Sequence, residues 1–460
     1  MTQTPFLMDF ATAWHALDCT PSDLCTMNAG FSSVCIDSRQ ATAGSLFAAL
    51  AGEKTDGHHF VHEAFRRGAA AALVERAKIA PLHLDELAGK YNAVLLPAEN
   101  TLSGLQALAA AYLNLFPRLL RVGITGSSGK TTTKEIARAL CRTEKQVIAN
   151  AGNLNSETGL PLSVFEVRAG HEIGIFEAGM NRPGEIAELA RVLRPHIALI
   201  TTIGSAHIGR FGSVRAIAEE KKALFSAFSG NETALIPAAG QYAALLAENV
   251  RGKVVRWGLG LDGTPARQIR SCGLRGWEIE LDGETALFPL PGKHNLDNAL
   301  AALALASSAG ISGAALRAGL ESVEPLFGRA EIIEFWGATV VCDCYNANPE
   351  SMAAAIALCD DAVWPGTRVY VAGSMLELGG QSEEAHRLLG VQLAQSKAAA
   401  VLLFGAETAA AVDAVQAAGK HVVHTTDIDA LRAALKKYIT GGTLVLLKGS
   451  RGCALERVLD

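Results

Sequence analysis

The sequence predicts an α/β protein of three domains, and three observations predict it. The chain has 460 residues, which at ~150 residues per domain suggests about three. Apolar runs of strand length alternate with helical stretches, the pattern of βαβ units and mostly parallel sheets covered by helices. The run 126–131, Gly-Ser-Ser-Gly-Lys-Thr, lies between a short β-branched strand and a helix, as a phosphate loop does. The expected division is an amino-terminal domain over 1–97, a central domain over 98–326 with a P-loop ATPase-like parallel sheet, and a Rossmann-like domain over 327–460.

Taken in order, segments 34–37 and 45–50 read as short strands in an opening that is otherwise helix-poor. Residues 61–67 read as a helix and 70–74 as a further apolar segment; 92–96 reads as a last strand stopped by Pro97. A long apolar helix over 105–116 ends at Pro117, because the residue before proline avoids the helical region. From Arg121 the order becomes strand (121–124), helix (130–140), and further strands at 173–177, 197–203 and 234–237. After Pro325, strands at 338–343, 368–372, 399–404, 421–423 and 444–447 form a second doubly wound unit. The uncharged run 298–316 is long enough to test as a membrane span. It contains Asn298, Ser307, Ser308, Gly310, Ser312 and Gly313, so it reads as a buried helix followed by a turn.

Composition bounds the function. Lys and Arg number 41 against 46 Asp and Glu, a net charge of −5, and 49% of residues are hydrophobic. That balance suits a globular chain and excludes a general nucleic-acid binder, whose affinity comes from cationic side chains on phosphates. No Lys or Arg precedes Arg39, so no secretory signal is expected. The nine cysteines are odd in number and form no CxxC pair. Cys342 and Cys344 are expected on opposite faces of a strand. A reduced, cytoplasmic, monomeric protein with no zinc site, disulfide framework or membrane span is the expectation.

The glycine-rich loop carries the clearest chemistry. Its backbone N–H groups suit phosphate oxygens, and the helix start adds positive potential. Lys130 suits β- and γ-phosphate charge and Thr131 suits Mg²⁺; Gly126, Ser127, Ser128, Gly129 and Thr132 complete the loop. The pattern departs from GxxxxGK[ST], because Ile124 holds the first glycine position and Gly123 sits one earlier. Glu177 ends one strand and His207 follows the next, at the carboxyl ends where open α/β sheets bind ligands. Together they favour a metal or phosphate site; either alone suits a loop-satisfying role. Lys221, in Glu219-Glu220-Lys221-Lys222, reads from spacing alone as part of a solvated helix face. Asn153 and Asn155 suit a turn or a ligand contact. Asn295, Asp297 and Asn298 suit helix caps or nucleotide contact.

The run 124–131, Glu177, Ser205-Ala206-His207, the Lys221 helix, Gly292-Lys293-His294-Asn295 and Gly328-Arg329 occur in that order. This series resembles the Mur ligases, which add amino acids to the peptide stem of the cell-wall precursor, and the match covers nearly the whole chain. The segments 345–352 (Tyr-Asn-Ala-Asn-Pro-Glu-Ser-Met), 375–379 (Met-Leu-Glu-Leu-Gly) and 448–451 (Lys-Gly-Ser-Arg) are similar to the branch that adds D-Ala-D-Ala to UDP-N-acetylmuramoyl-tripeptide. Residues 37–39, 46–50 and 55–58 fit that branch and its neighbour, the tripeptide synthetase. Ser156, Ser374 and Pro237 stand where members usually carry Asn, Asp and Asn.

The resemblance implies ATP and Mg²⁺ as cofactors, with that UDP-tripeptide and D-Ala-D-Ala as partners. It implies Lys130, Glu177, His207 and Lys221 as catalytic residues. Thr131, Glu177, His207 and Lys221, the last as a carbamate, would hold metal. Asn295, Arg329, Asp343 and Asn346 would contact nucleotide, with an interdomain ion pair as the alternative for Arg329 and Asp343. Ser38, Thr55 and Asp56 would meet the UDP-sugar, Asn153 and Asn155 the substrate, and Lys448 and Arg451 the anionic peptide end. Within enzymes the alternatives are the tripeptide synthetase, whose Asp-Asn-Pro-Arg-type segment is missing here, and a folylpolyglutamate synthetase sharing the ATP core. A nucleotide-binding scaffold without catalysis would be expected to lack one of the four catalytic candidates, and all four are present.

Overall fold

The computed structural model describes residues 6–19, 29–52 and 54–460. The chain folds into two compact units. The first comprises the chain up to Gly123 with Gln146–Met180 and Gly184–Pro195; the second comprises Ile124–Lys145, Asn181–Pro183 and His196–Asp460.

In the first unit four parallel strands, Ser33–Cys35, Ser45–Ala48, Ala71–Glu75 and Val94–Ala98, lie side by side in that order. The inner strands are buried on both faces, which makes them continuous apolar runs rather than alternating ones. Val61, Ala64 and Phe65 of one helix and Leu84 and Ala88 of another pack against Phe47, Ala72 and Val74. The expected stop at Pro97 does not hold. The strand continues through Pro97, opposite Val74, to Ala98. It lies at the sheet edge, where a missing N–H need break no ladder bond. A helix also forms at Phe10–Ala16, in the stretch read as helix-poor, because the Asp9 side chain accepts from the Thr12 N–H and caps it. The helix Thr101–Asn114 starts at its Asn100 cap, earlier than expected. The parallel pair Val147–Ala149 and Ile173–Glu177 carries Glu177 to a strand end.

In the second unit the strands Ile197–Ile200, Thr233–Pro237 and Lys253–Trp257 are parallel neighbours. The helix Lys130–Arg142 packs on Lys293–Ser308 and Gly313–Glu321. Ala299, Ala301, Ala302, Ala304 and Ala306 are fully buried, so small side chains set how closely that helix is approached. The uncharged run is thus a buried helix, a turn at Gly310 and the start of a second helix.

Antiparallel pairing appears that the sequence reading does not expect, including the short pair Met8–Asp9 with Gly30–Phe31. Strands Ala266–Ser271, Trp277–Leu281 and Glu284–Phe288 form a meander, whose second turn is Asp282-Gly283 with φ of 53° and 82°. Positive φ at both positions is the twist-compatible hairpin geometry. The carboxyl-terminal sheet has the order Glu331–Phe335, Ala338–Asp343, Leu444–Lys448, Arg368–Gly373, Ala400–Phe404, His421–Thr425. All its pairs are parallel except the first, an antiparallel hairpin turned by Trp336-Gly337. Cys342 and Cys344 do not face apart: their sulfurs lie 3.4 Å from each other. Side chains alternate with period two, so residues i and i+2 share a face.

Candidate functional site

The strand Leu120–Thr125 ends in the loop 126–129, and the helix Lys130–Arg142 begins at once. The loop is built so tightly that two glycines are obligatory. A Cβ on Gly126 would stand 1.8 Å from Thr201 Oγ1, and one on Gly129 2.1 Å from Asn298 Oδ1; Gly129 also has φ +82°. Ser127 Oγ donates to the Gly204 carbonyl (3.1 Å) and accepts from the Gly204 N–H (2.9 Å). The Ser128 N–H donates to Thr202 Oγ1 at 3.1 Å, and Thr201 Oγ1 donates to the Ser128 carbonyl at 2.6 Å. Lys130 folds back to donate to the Gly126 carbonyl at 2.9 Å. Thr131 is half-buried and Thr132 buried in the first helical turn. Asn298, for which the sequence suggests a cap or a nucleotide contact, lies against Gly129 and accepts from Thr133 Oγ1 at 3.3 Å. Asn295 is no cap either: it lies inside the helix, buried, donating to the Pro291 carbonyl at 2.8 Å.

His207 lies beyond the strand Ile197–Ile200, with a left-handed φ of +66°. Its pKa is lowered to about 4, first by burial and then by the positive charges of Lys130 and Lys221. It is therefore neutral at pH 7, the form in which imidazole ligates a metal. Lys221 closes the helix Val214–Lys222 and is 1% exposed, while Lys222 beside it is half-exposed. The solvated-face reading therefore fails for Lys221. It follows Ile217 and Ala218 by four and three residues, and both are buried, so all three share the inward helix face. Lys130, at the helix start beside this histidine, supplies positive charge suited to a polyanion such as a triphosphate. Among the described residues no group of three or more His, Cys, Asp and Glu is arranged to hold a metal.

In the first unit Glu177 is buried. Asn155 Nδ2 donates to Glu177 Oε1 at 2.6 Å, and the Asn150 side chain accepts from the Glu177 N–H at 2.9 Å and donates to its carbonyl at 3.2 Å. Asn155 and Glu177 thus come together, while Asn153 is exposed; Asn150 was not singled out from sequence. Ser38 opens a short turn capped by Asp37. Thr55 is exposed beside Asp56. Asp56 serves a local network: its carboxylate meets His58 Nδ1 at 2.6 Å and Lys78 Nζ at 2.7 Å. Desolvation would raise its pKa, but these bonds outweigh it and hold the carboxyl well below its ordinary range.

In the carboxyl-terminal sheet, Asp343 pairs with Lys448 at 2.8 Å rather than with Arg329, and accepts from the Ala330 N–H at 3.2 Å. Arg329 instead lies over the Tyr345 ring, 4.2 Å from its centroid. Lys448 also donates to the carbonyls of Asp343 (3.2 Å) and Asn346 (2.8 Å). Those contacts engage the three donors of an ammonium, so this buried lysine braces the segment 343–346. Asn346 is exposed. Arg451 is paired with Glu456. Asn348, Glu350 and Glu377, which the sequence supplied only as parts of motifs, reach the loops just described. Asn348 Nδ2 donates to Ser128 Oγ at 3.0 Å.

A glycine-rich loop joining a strand to a helix, with Lys130 at the helix start, defines an α/β protein of the P-loop class. The family model for the Mur ligase middle domain matches residues 124–306, that for the Mur ligase glutamate ligase domain matches 328–451, and that for the Mur ligase family catalytic domain matches 31–113. The UDP-N-acetylmuramoyl-tripeptide–D-alanyl-D-alanine ligase of Treponema pallidum (strain Nichols) is 44% identical over 431 residues, 93% of either chain. The crystal structure of MurF from Acinetobacter baumannii matches with a TM-score of 0.86 at 27% identity over 97% of both chains. That of MurF ligase from Thermotoga maritima in complex with ADP matches at 0.79 and 29% identity, over 95% of this chain and 97% of that one. The chain belongs to the Mur ligase family.

Proposed function

We propose that this chain is an ATP-dependent amide ligase that adds D-Ala-D-Ala to UDP-N-acetylmuramoyl-tripeptide, a step in peptidoglycan precursor synthesis. The observation that carries the reading is the 44% identity over 93% of the chain to an enzyme of that name. We read three domains, 1–97 for the uridine diphosphate end, 98–326 for ATP and 327–460 for the incoming dipeptide. The family-model spans 31–113, 124–306 and 328–451 support that division.

A carboxylate is a poor acyl donor because its leaving group would be oxide. The tripeptide carboxylate attacks the γ-phosphorus of ATP, the bond to the β-phosphate oxygen breaks, and an acyl phosphate and ADP result. The dipeptide amine then attacks the acyl carbon, passes through a tetrahedral intermediate, loses a proton and expels phosphate. The first step joins two anions, so its barrier is largely electrostatic. Lys130 moves from the Gly126 carbonyl to the β- and γ-phosphates, and the loop N–H groups hold phosphate oxygens in place. Thr131, Glu177, His207 and Lys221 as a carbamate would hold Mg²⁺, which when bound would offset charge on the phosphates. The reaction consumes ATP, so the reading places the enzyme in the cytoplasm; action as a monomer is part of the same proposal. No helix of the described residues is long and apolar enough to cross a membrane.

The test is incubation of the purified protein with ATP, the UDP-tripeptide and a panel of amino donors, following phosphate release and product mass. D-Ala-D-Ala should support release and add its own residue mass. Release with a single amino acid instead, or none with any donor, would overturn the reading.

A further inference from the structure

We propose that Glu350 and Glu377 are positioning residues that set the shape of the segment 204–209, and through it the place of the His207 imidazole. This rests on the ligase reading, in which His207 serves the phosphate site. Both glutamates come from elements far along the chain. Glu350 stands in the first turn of the helix Pro349–Asp361, and Glu377 in the loop after the strand Arg368–Gly373.

The contacts are close. Glu350 Oε1 accepts from the Ser205 N–H at 2.8 Å, and its Oε2 accepts from the Ser205 hydroxyl at 2.8 Å. Glu377 Oε2 lies 3.1 Å from His207 Nδ1, a close approach of the two groups rather than a hydrogen bond. Just beyond, two glycines meet: a Cβ on Gly209 would be 3.0 Å from the Gly379 nitrogen, and one on Gly379 3.0 Å from the Gly209 Cα. The start of the segment is pinned from the other side by Ser127 on Gly204.

His207 and Glu377 also hold the same unusual backbone conformation, with φ of +66° and +65°. Non-glycine residues keep such a conformation only where their surroundings over-determine it. Here each strained residue faces the other, and each is followed two positions later by a glycine of the touching pair. An isolated surface ion pair would carry little weight. A carboxylate fixed by a backbone N–H and a hydroxyl on the same residue is a directed, charge-assisted contact. The arrangement therefore couples docking of the carboxyl-terminal layer to the conformation of the loop that presents His207.

The test uses the full chain and the variants Glu350→Ala, Glu377→Ala and Glu350→Gln. Hydrogen exchange is read first, on ligand-free protein. In Glu350→Ala, peptides covering 204–209 should exchange about ten-fold faster, since a charge-assisted bond that resists opening is lost, and in Glu377→Ala the same peptides should exchange faster because the His207 ring loses its close neighbour. The helix Lys130–Arg142 should be unchanged. Calorimetry with ADP should give a Kd near the wild-type value, while kcat falls on the order of 100-fold, the scale of a small misplacement of reacting groups. The Glu350→Gln amide still accepts from the Ser205 N–H and should recover much of the loss. Unchanged exchange over 204–209, a rise in the KM for ATP as large as the fall in kcat, or a glutamine variant no better than alanine would each overturn the proposal. If Glu350→Ala does not fold, Glu377→Ala carries the same measurements. Because exchange is read without substrates, a chain that fails to use D-Ala-D-Ala yet shows the exchange response defeats the ligase reading and leaves loop shaping in place.

Discussion

At Lys130 one charge serves two measurable ends. Replacing it with alanine removes the cation expected at the γ-phosphate, and turnover should fall on the order of 10³-fold or more if preorganised charge dominates the first step. The same change should move His207. Burial is the largest cause of that histidine's pKa of about 4, with Lys130 and Lys221 adding to it. Deleting Lys130 removes a lowering cause and leaves burial, so the pKa should rise but stay below the ordinary ~6.5. An NMR pH titration of the His207 ring reads this directly; a fall or no change would contradict the pocket. Lys221 poses a different question. An ammonium is costly to bury, and a cation opposes a metal, whereas the carbamate formed from the neutral amine and CO₂ is anionic and offers oxygen ligands. Lys221→Ala should be nearly inactive and partly rescued by short-chain carboxylic acids, while Lys222→Ala, at a half-exposed position, should behave as wild type. Equal loss in both variants would sink the carbamate.

Among the elements, the phosphate loop shows how a backbone conformation is bought by its neighbours. Gly129→Ala should cost about 2–3 kcal/mol by thermal unfolding, combining the left-handed penalty with the contact against Asn298. Gly260, also at positive φ but with nothing within 4 Å, should lose only the first part when changed to alanine. Adding Asn298→Ala to Gly129→Ala should recover some stability; strict additivity would show that the contact is not the cause. Such elements were legible in the sequence to different degrees. The parallel strands could be read because both faces are covered, as with Ile173–Glu177, where all five residues are buried. The meander at 266–288 escaped because its strands are half-exposed, although Asp282-Gly283 between Trp-Glu-Ile-Glu-Leu and Glu-Thr-Ala-Leu-Phe carries the hairpin signal. Lys221 could have been separated from Lys222 by its spacing from Ile217 and Ala218. Asp343 with Lys448, and Glu350 with Ser205, are contacts between distant segments that no local pattern encodes.

For the whole molecule, ATP contacts are expected both from Lys130 and Thr131 and from Arg329 and Asp343, which begin the carboxyl-terminal layer. The joint lies before Arg329. Beyond it the chain is tied into that layer: the Tyr345 N–H donates to the Gly328 carbonyl at 3.0 Å, Arg329 stacks on Tyr345, and the Ala330 N–H bonds Asp343. Gly328 itself has φ +65°, and Phe327 is exposed, so a swing about 325–328 disturbs little core. What resists the swing includes Asn348 on Ser128 and Glu350 on Ser205. Hydrogen bonds of this kind contribute about 1–3 kcal/mol each. A ligand that prefers the docked state by a few kcal/mol is then enough to shift the population. Small-angle scattering should give a smaller radius of gyration with a non-hydrolysable ATP analogue and the UDP-tripeptide than without ligands. Glu350→Ala should enlarge the ligand-free radius. A radius constant across all ligand states, in wild type and variant alike, would mean that the layer is docked permanently and that catalysis here needs no hinge.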